Sequence, residues 1–435
     1  MALGGGVFTS QNKILPGSYI NVISKAQNAA LLGERGVVAL PIALKWGKPG
    51  SVITVTAEDF QRDSLKIFGY AYDAPEMETL REVFKHAQKV HVYNLSNSTK
   101  ACCPLMQISD DDEMLYAKYE GSRGADMRLV IQTNIDDATK FDVSVYMGSS
   151  VVFSQTVSTA SELNENDYVT WKEFTLSPTA GLPFHMQNGV EETIDSTAYQ
   201  NALDTFESYN FNVLVCPDAS AADLYVAYTK RMRDNVGVKF QTVVVNKAAD
   251  YEGVVNIPEA QANALYWTAG ALAGCAVNKS CTNMLYDGEL TITCTETQRE
   301  LEDAILAGVF MFHKVESDTR VLMDINSLVT YTEDKGEVFS SNQVVRVADQ
   351  CANDTAKIFN TKFLGKVQND NAGRISFWNQ VLTHRRELET MRAIEAYDSS
   401  LLTVERGEKR NSVVVNEVIT PISAMEKLYM TIVIN

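Results

Sequence analysis

The sequence predicts a multi-domain α/β protein: a central α/β sheet, a small β-sandwich inserted into it, an α+β C-terminal domain, and an extended arm at each end. Three observations carry this. Buried-strand runs alternate with amphipathic helices on both sides of a stretch that holds only short alternating strands. Two long helical patterns follow near the end of the chain. Both termini are apolar but hold too little sequence to cover themselves. The division expected is an arm over 1–28, α/β segments over 29–95 and 181–328, the insertion over 96–180, a C-terminal domain over 329–420 and a second arm over 421–435.

In chain order, Met1 to Ile23 lacks the basic start and continuous apolar core of a signal peptide. Gly4-Gly5-Gly6 is a flexible leader and Pro16-Gly17 a turn, while Val7, Phe8, Ile14, Leu15 and Tyr19 make the arm too apolar to be a solvated tail. GVVALPIAL from Gly36 to Leu44 is a buried strand with Pro41 at an edge or bulge. Ser51–Thr56 is a strand, Pro75–Ala87 an amphipathic helix with proline in its first turn, and Lys89–Leu95 a strand. Between about Ser96 and Pro178 come Met114–Tyr119, Met127–Thr133, Phe141–Met147, Val151–Val157 and Val169–Leu176, separated by polar turns.

Alternation of helix and strand then returns. Thr197–Ser208, Ala219–Asn235, Pro258–Asn278 and Thr295–Ala307 read as helices, with Phe211–Cys216 and Phe240–Asn246 as strands. Val321–Ile325 and Val329–Tyr331 read as short strands, and helices span about Asn342–Phe363 and Ile375–Ala396. Two β-type runs close the chain, Ser412–Val418 and Lys427–Ile434, parted by Pro421. The second sets Leu428, Met430, Ile432 and Ile434 on one face and Tyr429, Thr431 and Val433 on the other. A terminal strand so apolar either closes its own sheet or joins one in another subunit.

Composition narrows the function. The 435 residues carry a formal net charge of −17, against general nucleic-acid binding. Beyond Gly336 there are twelve Lys and Arg against twelve Asp and Glu, so the whole imbalance precedes that point. No apolar run reaches the roughly 18 residues of a membrane span. Seven cysteines without a CxxC read as buried thiols of a reducing compartment.

Catalytic equipment is sparse. There is no P-loop, no G-x-G-x-x-G, no HExxH and no G-x-S-x-G. Gly270 and Gly274 share one helix and read as a packing face. His86 and His91 flank a helix–strand junction in surface or packing roles, and Asp110 to Glu113 lacks the spacing of a calcium loop. Cys216, at a strand end before Pro217-Asp218, reads as a core thiol. A hydrolase on the central domain, using Cys216 or His185, is the enzymatic alternative. No catalytic, cofactor or metal residue is assigned.

The opening GGGVFTSQNKILPGSYINVIS, the block Leu32–Pro41 (LGERGVVALP), Ala117–Ile131 (AKYEGSRGADMRLVI) and Ser340–Asp370 together resemble the tail sheath proteins of contractile-tailed phages, defective prophages and contractile bacteriocins of Gram-positive bacteria. The resemblance covers essentially the whole chain. It implies a central domain of subtilisin-like appearance without the protease, and a structural subunit, not an enzyme. Such subunits assemble as stacked hexameric rings around an inner tube and contract to drive that tube through a cell envelope. Implied partners are other copies of the chain, the tail tube protein, and baseplate and tail terminator proteins, with no cofactor, nucleic acid or membrane insertion. The implied location is a virion tail or extracellular particle assembled in the host cytoplasm. Arm contacts between subunits are expected at Val7, Phe8, Ile14, Leu15, Tyr19, Leu428, Met430, Ile432 and Ile434. Tube contacts are expected at Lys357, Lys362, Lys366, Arg385, Arg386, Glu387 and Glu389. The sheath of a non-phage injection or secretion system is the alternative within this class, although type VI secretion sheaths are commonly built from two chains.

Overall fold

The computed structural model describes residues 33–96, 98–104, 113–178, 183–190 and 193–434. The whole N-terminal arm, including Val7, Phe8, Ile14, Leu15 and Tyr19, and the acidic run Asp110–Asp112 lie outside the described residues.

The chain opens with β1 (Val37–Ile42), β2 (Val52–Thr56), α1 (Ala57–Phe68), α2 (Glu78–Phe84) and β3 (Lys89–Asn94). Seven strands follow: β4 (Lys100–Pro104), β5 (Glu113–Glu120), β6 (Met127–Thr133), β7 (Phe141–Met147), β8 (Ser150–Val157), β9 (Val169–Trp171) and β10 (Phe184–His185). The α/β pattern resumes with α3 (Ser196–Phe206), β11 (Val213–Val215), α4 (Ala222–Lys230), β12 (Gln241–Val245), β13 (Val254–Ile257), α5 (Leu265–Gly274) and α6 (Gln298–Leu306). The hairpin β14 (Phe312–Val315) and β15 (Asp318–Val321), the helices α7 (Asn342–Ile358) and α8 (Asn371–Thr390), and the hairpin β16 (Thr403–Arg406) and β17 (Val413–Asn416) complete it.

The central sheet has the order β13-β12-β11-β1-β3-β2, parallel except for β2, which runs antiparallel at the edge. Because helices cover both faces, the parallel strands β1, β12 and β13 are buried along nearly their whole length, which is why they read as continuous apolar runs, whereas the edge strand β2 is partly exposed. One core, with Phe60, Leu80 and Trp267, fills one face; another, with Phe206, Tyr225 and Phe240, fills the other. Between β3 and β11 the chain leaves this sheet to build two small antiparallel sheets, β10-β6-β7-β8 and β4-β5-β9, that enclose a third core around Leu115, Leu129 and Val145. A fourth core, around Val347, Phe377, Val381 and Leu388, belongs to α7, α8 and the terminal hairpin.

Local chemistry accounts for the element ends. Thr56 caps α1, its hydroxyl accepting from the Asp59 amide at 3.2 Å, and Gly69 ends that helix in the left-handed region at φ 78°. Thr297 and Glu300 form a reciprocal capping box on α6. A Cβ on Gly270 or Gly274 would come within 2.3 Å of the Val83 carbonyl oxygen or 2.1 Å of that of His86, so these glycines let α5 lie against α2 and the turn after it.

Several expectations are corrected. Pro41 lies in a central strand, not at an edge or bulge; pairing with β11 has already ended at Ala39 and Leu214, so its missing N–H leaves no rung broken. Val329–Tyr331 is no strand: the Val329 and Thr330 amides bond the Asp250 carboxylate instead. Val321–Ile325 contributes the end of β15 and one isolated bridge, from Ile325 to Ser341. Ser412–Val418 does pair, but with Thr403–Arg406, a polar strand that its composition hides, and not with the last run of the chain.

Candidate subunit-contact site at the C-terminal arm

After β17 the chain remains tied to its domain for a short way. The Glu395 amide donates to the Thr420 carbonyl at 2.9 Å and the Ile422 amide to the Ala393 carbonyl at 3.0 Å, around an isolated bridge between Ile394 and Pro421. From Lys427 to Ile434 the backbone forms no strand with any described residue. Leu428 is 85% and Ile434 90% exposed, and Tyr429, Met430, Ile432 and Val433 are exposed as well. Burying a large apolar side chain is worth about 1.5–3 kcal/mol, so these six leave on the order of 10 kcal/mol unrealised in the isolated chain.

The arm is rooted in a buried polar network. Arg385 is 1% exposed and donates to Glu417 through Nε at 2.9 Å and Nη2 at 2.7 Å, to Thr355 Oγ1 at 2.8 Å, and through Nη1 to His384 Nδ1 at 2.5 Å. Tyr397 donates to Glu417 at 3.0 Å, and His384 Nε2 lies 2.7 Å from Asp354. Burial pushes the Glu417 carboxyl up, but the hydrogen bonds and charge of Arg385 more than offset it and hold the group below its ordinary value. Asp354 is likewise pushed up by burial and pulled below its ordinary value by His384, Gln350 and the Gly33 amide.

That last contact roots the other end of the described chain on the same helix. The Gly33 amide donates to both carboxylate oxygens of Asp354, at 3.0 and 3.1 Å. Helix α7 is itself fixed to the central domain by buried charges. Arg233 makes a bidentate pair with Asp349 at 2.6 and 2.9 Å, and Arg346 meets Asp324 at 3.2 Å. Sequence reading missed this seam, because Arg346, Asp349, Gln350 and Asp354 recur at helical spacing and resemble a solvated face; the signal lay in their position directly beside the apolar stripe of Val347, Cys351 and Ile358.

The residues expected to meet a tube are not all alike. Lys357 and Lys366 are exposed, and Lys366 Nζ donates to the Thr361 carbonyl at 2.7 Å. Lys362 is half-buried and donates to Gln380 Oε1 at 2.5 Å. Arg386 pairs with Glu389 at 2.7 Å on the surface of α8, and Glu387 beside them is half-buried, with its carboxyl pushed up by burial. Arg385 is the exception. It faces inward, its donors are consumed by Glu417, Thr355 and His384, and it leaves the surface set.

The central domain holds a cavity of about 430 Å³ outside the carboxyl ends of β1 and β11, lined in part by Leu44, Met77, Tyr199, Asp218 and Tyr266. Its chemistry is closed on itself. Asp218 accepts from the Ser220 amide at 2.8 Å and the Tyr199 hydroxyl at 3.2 Å. Burial pushes the Cys216 thiol up to about 12, so it stays protonated, donating to the Asp218 carbonyl. His185 lies in a different sheet, on β10 opposite Arg128. Among the described residues no cluster of His, Cys, Asp and Glu is arranged to hold a metal, and no helix is long and apolar enough to cross a membrane.

Four family models match the chain in succession: the tail sheath protein Gp18 domain III N-terminal region over 35–95, the phage tail sheath protein beta-sandwich domain over 99–186, the phage tail sheath protein central domain over 192–327, and the phage tail sheath C-terminal domain over 334–435. Among curated proteins it is 30% identical to the phage-like element PBSX protein XkdK of Bacillus subtilis, over the whole of both chains. Among solved structures, the sheath tail protein of Desulfitobacterium hafniense aligns at 34% identity and a TM-score of 0.81, over 95% of this chain and 99% of that one. Sheath tail protein Lin1278 of Listeria innocua aligns at 30% identity and 0.78, over 92% and 94%. The helical sheath of the anti-feeding prophage, in its contracted state, shares the fold at 10% identity and 0.55, over 97% of this chain and 99% of that one. The class defined is thus the structural sheath subunit of a contractile tail. This chain belongs to the phage tail sheath protein family, and its role is structural, not enzymatic.

Proposed function

We propose that copies of this chain polymerise as stacked hexameric rings around an inner tube, and that Lys427–Ile434 adds as a strand to a sheet in a neighbouring copy. The observation that carries the reading is the pairing deficit among the described residues: an apolar extended segment with no partner strand, in a domain whose hairpin β16-β17 has only two strands. A two-stranded ribbon is marginal alone and gains from further strands. Added strands contribute about 0.5–1.5 kcal/mol per main-chain bond, with alternate side chains filling pockets. The N-terminal arm, through Val7, Phe8, Ile14, Leu15 and Tyr19, supplies a second added strand.

A head-to-tail contact with a rise along the axis does not close, so the assembly is helical. Contraction then needs no nucleotide: a metastable lattice relaxes to one that buries more surface and pushes the tube through a target envelope. Lys357, Lys362, Lys366, Arg386, Glu387 and Glu389 face the tube in this reading; pairs made by the exposed members are worth about 0–1 kcal/mol each, weak enough to release. Baseplate and tail terminator proteins cap the ends, and the particle assembles in the host cytoplasm as part of a virion tail or a headless relative. Ending the chain after Glu426 tests the proposal. Negative-stain microscopy is expected to show full-length tubes and, for the shortened chain, folded monomers; tubes from both would refute it.

A further inference from the structure

The C-terminal segment keeps a contact with its own chain as far as Glu426, and a buried glutamine decides how it arrives there. Gln343, at the start of α7, is 4% exposed. Its Nε2 donates to the Ile422 carbonyl at 3.0 Å and its Oε1 accepts from the Ala424 amide at 3.0 Å. One side-chain amide thus does for residues 422–424 what the backbone of a neighbouring strand would do, holding them extended. Two residues later, Thr282 Oγ1 donates to Glu426 Oε1 at 2.7 Å. The same hydroxyl accepts from the Asp324 amide at 2.9 Å, and Asp324 is the buried partner of Arg346 on α7. The two points of attachment therefore lie on opposite sides of the seam between α7 and the central domain.

We infer that Gln343 and Thr282 form a two-point clamp that fixes the direction and free length of the C-terminal strand, and so the placement of the next copy relative to both domains. This rests on the reading that the strand pairs in another copy. Both act as positioning residues, through the C-terminal segment that they hold. Without the clamp, residues 423–426 join the free segment, adding about 13 Å of reach at roughly 3.3 Å per extended residue. A longer, undirected tether still binds but no longer sets a single geometry.

The test uses the full-length chain, with Gln343→Ala, Glu426→Ala and the chain ended after Glu426. In the soluble subunit, Gln343→Ala is expected to raise hydrogen exchange of the Ala424 amide at least tenfold while the melting temperature stays within about 3 °C. In cryo-electron microscopy its tubes should lose a single helical rise and twist. Glu426→Ala removes an exposed side chain, leaves folding intact, and should disorder the lattice in the same direction. Tubes of either variant with the parent rise and twist would overturn the clamp even if the truncation abolishes assembly. Regular tubes from the truncated chain would instead overturn the reading beneath it.

Discussion

Arg385 shows how much of this molecule is decided by single buried charges. A guanidinium inside a domain is tolerated only when each of its directions meets a partner, and Glu417, Thr355 and His384 supply them. Removing one member leaves the others buried and uncompensated. Arg385→Ala is therefore expected to cost about 3 kcal/mol of unfolding free energy, within the range for breaking a buried pair, as measured by urea denaturation; a loss below about 1 kcal/mol would contradict the network. The pH dependence has a definite sign. Glu417 and Asp354 are held below their ordinary values in the folded chain, so the stability they contribute is present above the usual carboxylate range of about 4 and is lost as pH falls through the lower folded values. Denaturation at pH 7 and pH 3.5 should show this loss, and Glu417→Gln should reduce it. An unchanged difference would assign the acid sensitivity elsewhere.

At the scale of elements, what could be read in advance depended on whether local pattern and tertiary demand agreed. Met127–Thr133 and Phe141–Met147 alternate cleanly because one face of each is buried, and both fold as strands over those residues. Asn342–Phe363 reads as one helix, and α7 with the wider turn after it occupies that span. Thr403–Arg406 was not legible, since a four-residue strand with Glu405 and Arg406 exposed has no apolar period to show. Pro41 misled, because the rule against proline in central strands concerns the missing rung, and the neighbouring strand stops short of it. The glycines of α5 were legible as a packing face, and their geometry gives a prediction: Gly270→Ala places a methyl against the Val83 carbonyl and should destabilise by about 1–3 kcal/mol. A neutral or stabilising change in thermal unfolding would show that α2 can simply move away.

For the molecule as a whole, both arm roots converge on one helix. Gly33 is bound at Asp354 and the C-terminal segment at Gln343, positions eleven residues apart on α7 and so about 16 Å along its axis. The alternation of Leu428, Met430, Ile432 and Ile434 with Tyr429 and Val433 is read directly from the sequence, and both faces of that segment are exposed in the structure; what covers either face is not written in one chain. The same limit applies to the tube-facing set: charge on a helix is read directly, whereas Arg385 turned inward only because the fold brought Glu417 beneath it. Deleting residues 1–16 is expected to leave a folded, soluble monomer that fails to polymerise, by sedimentation and circular dichroism; normal polymers would remove the N-terminal arm from the assembly.

In the proposed assembly the last strand pairs with a sheet in another copy. A cryo-electron microscopy reconstruction of assembled tubes, at a resolution that traces the main chain, tests it most directly. Density is expected for residues 427–434 hydrogen-bonded as a strand to a sheet of a neighbouring subunit, with the side chains of Leu428, Met430, Ile432 and Ile434 covered. Density showing the same residues folded back onto their own subunit within the assembled tube would contradict it.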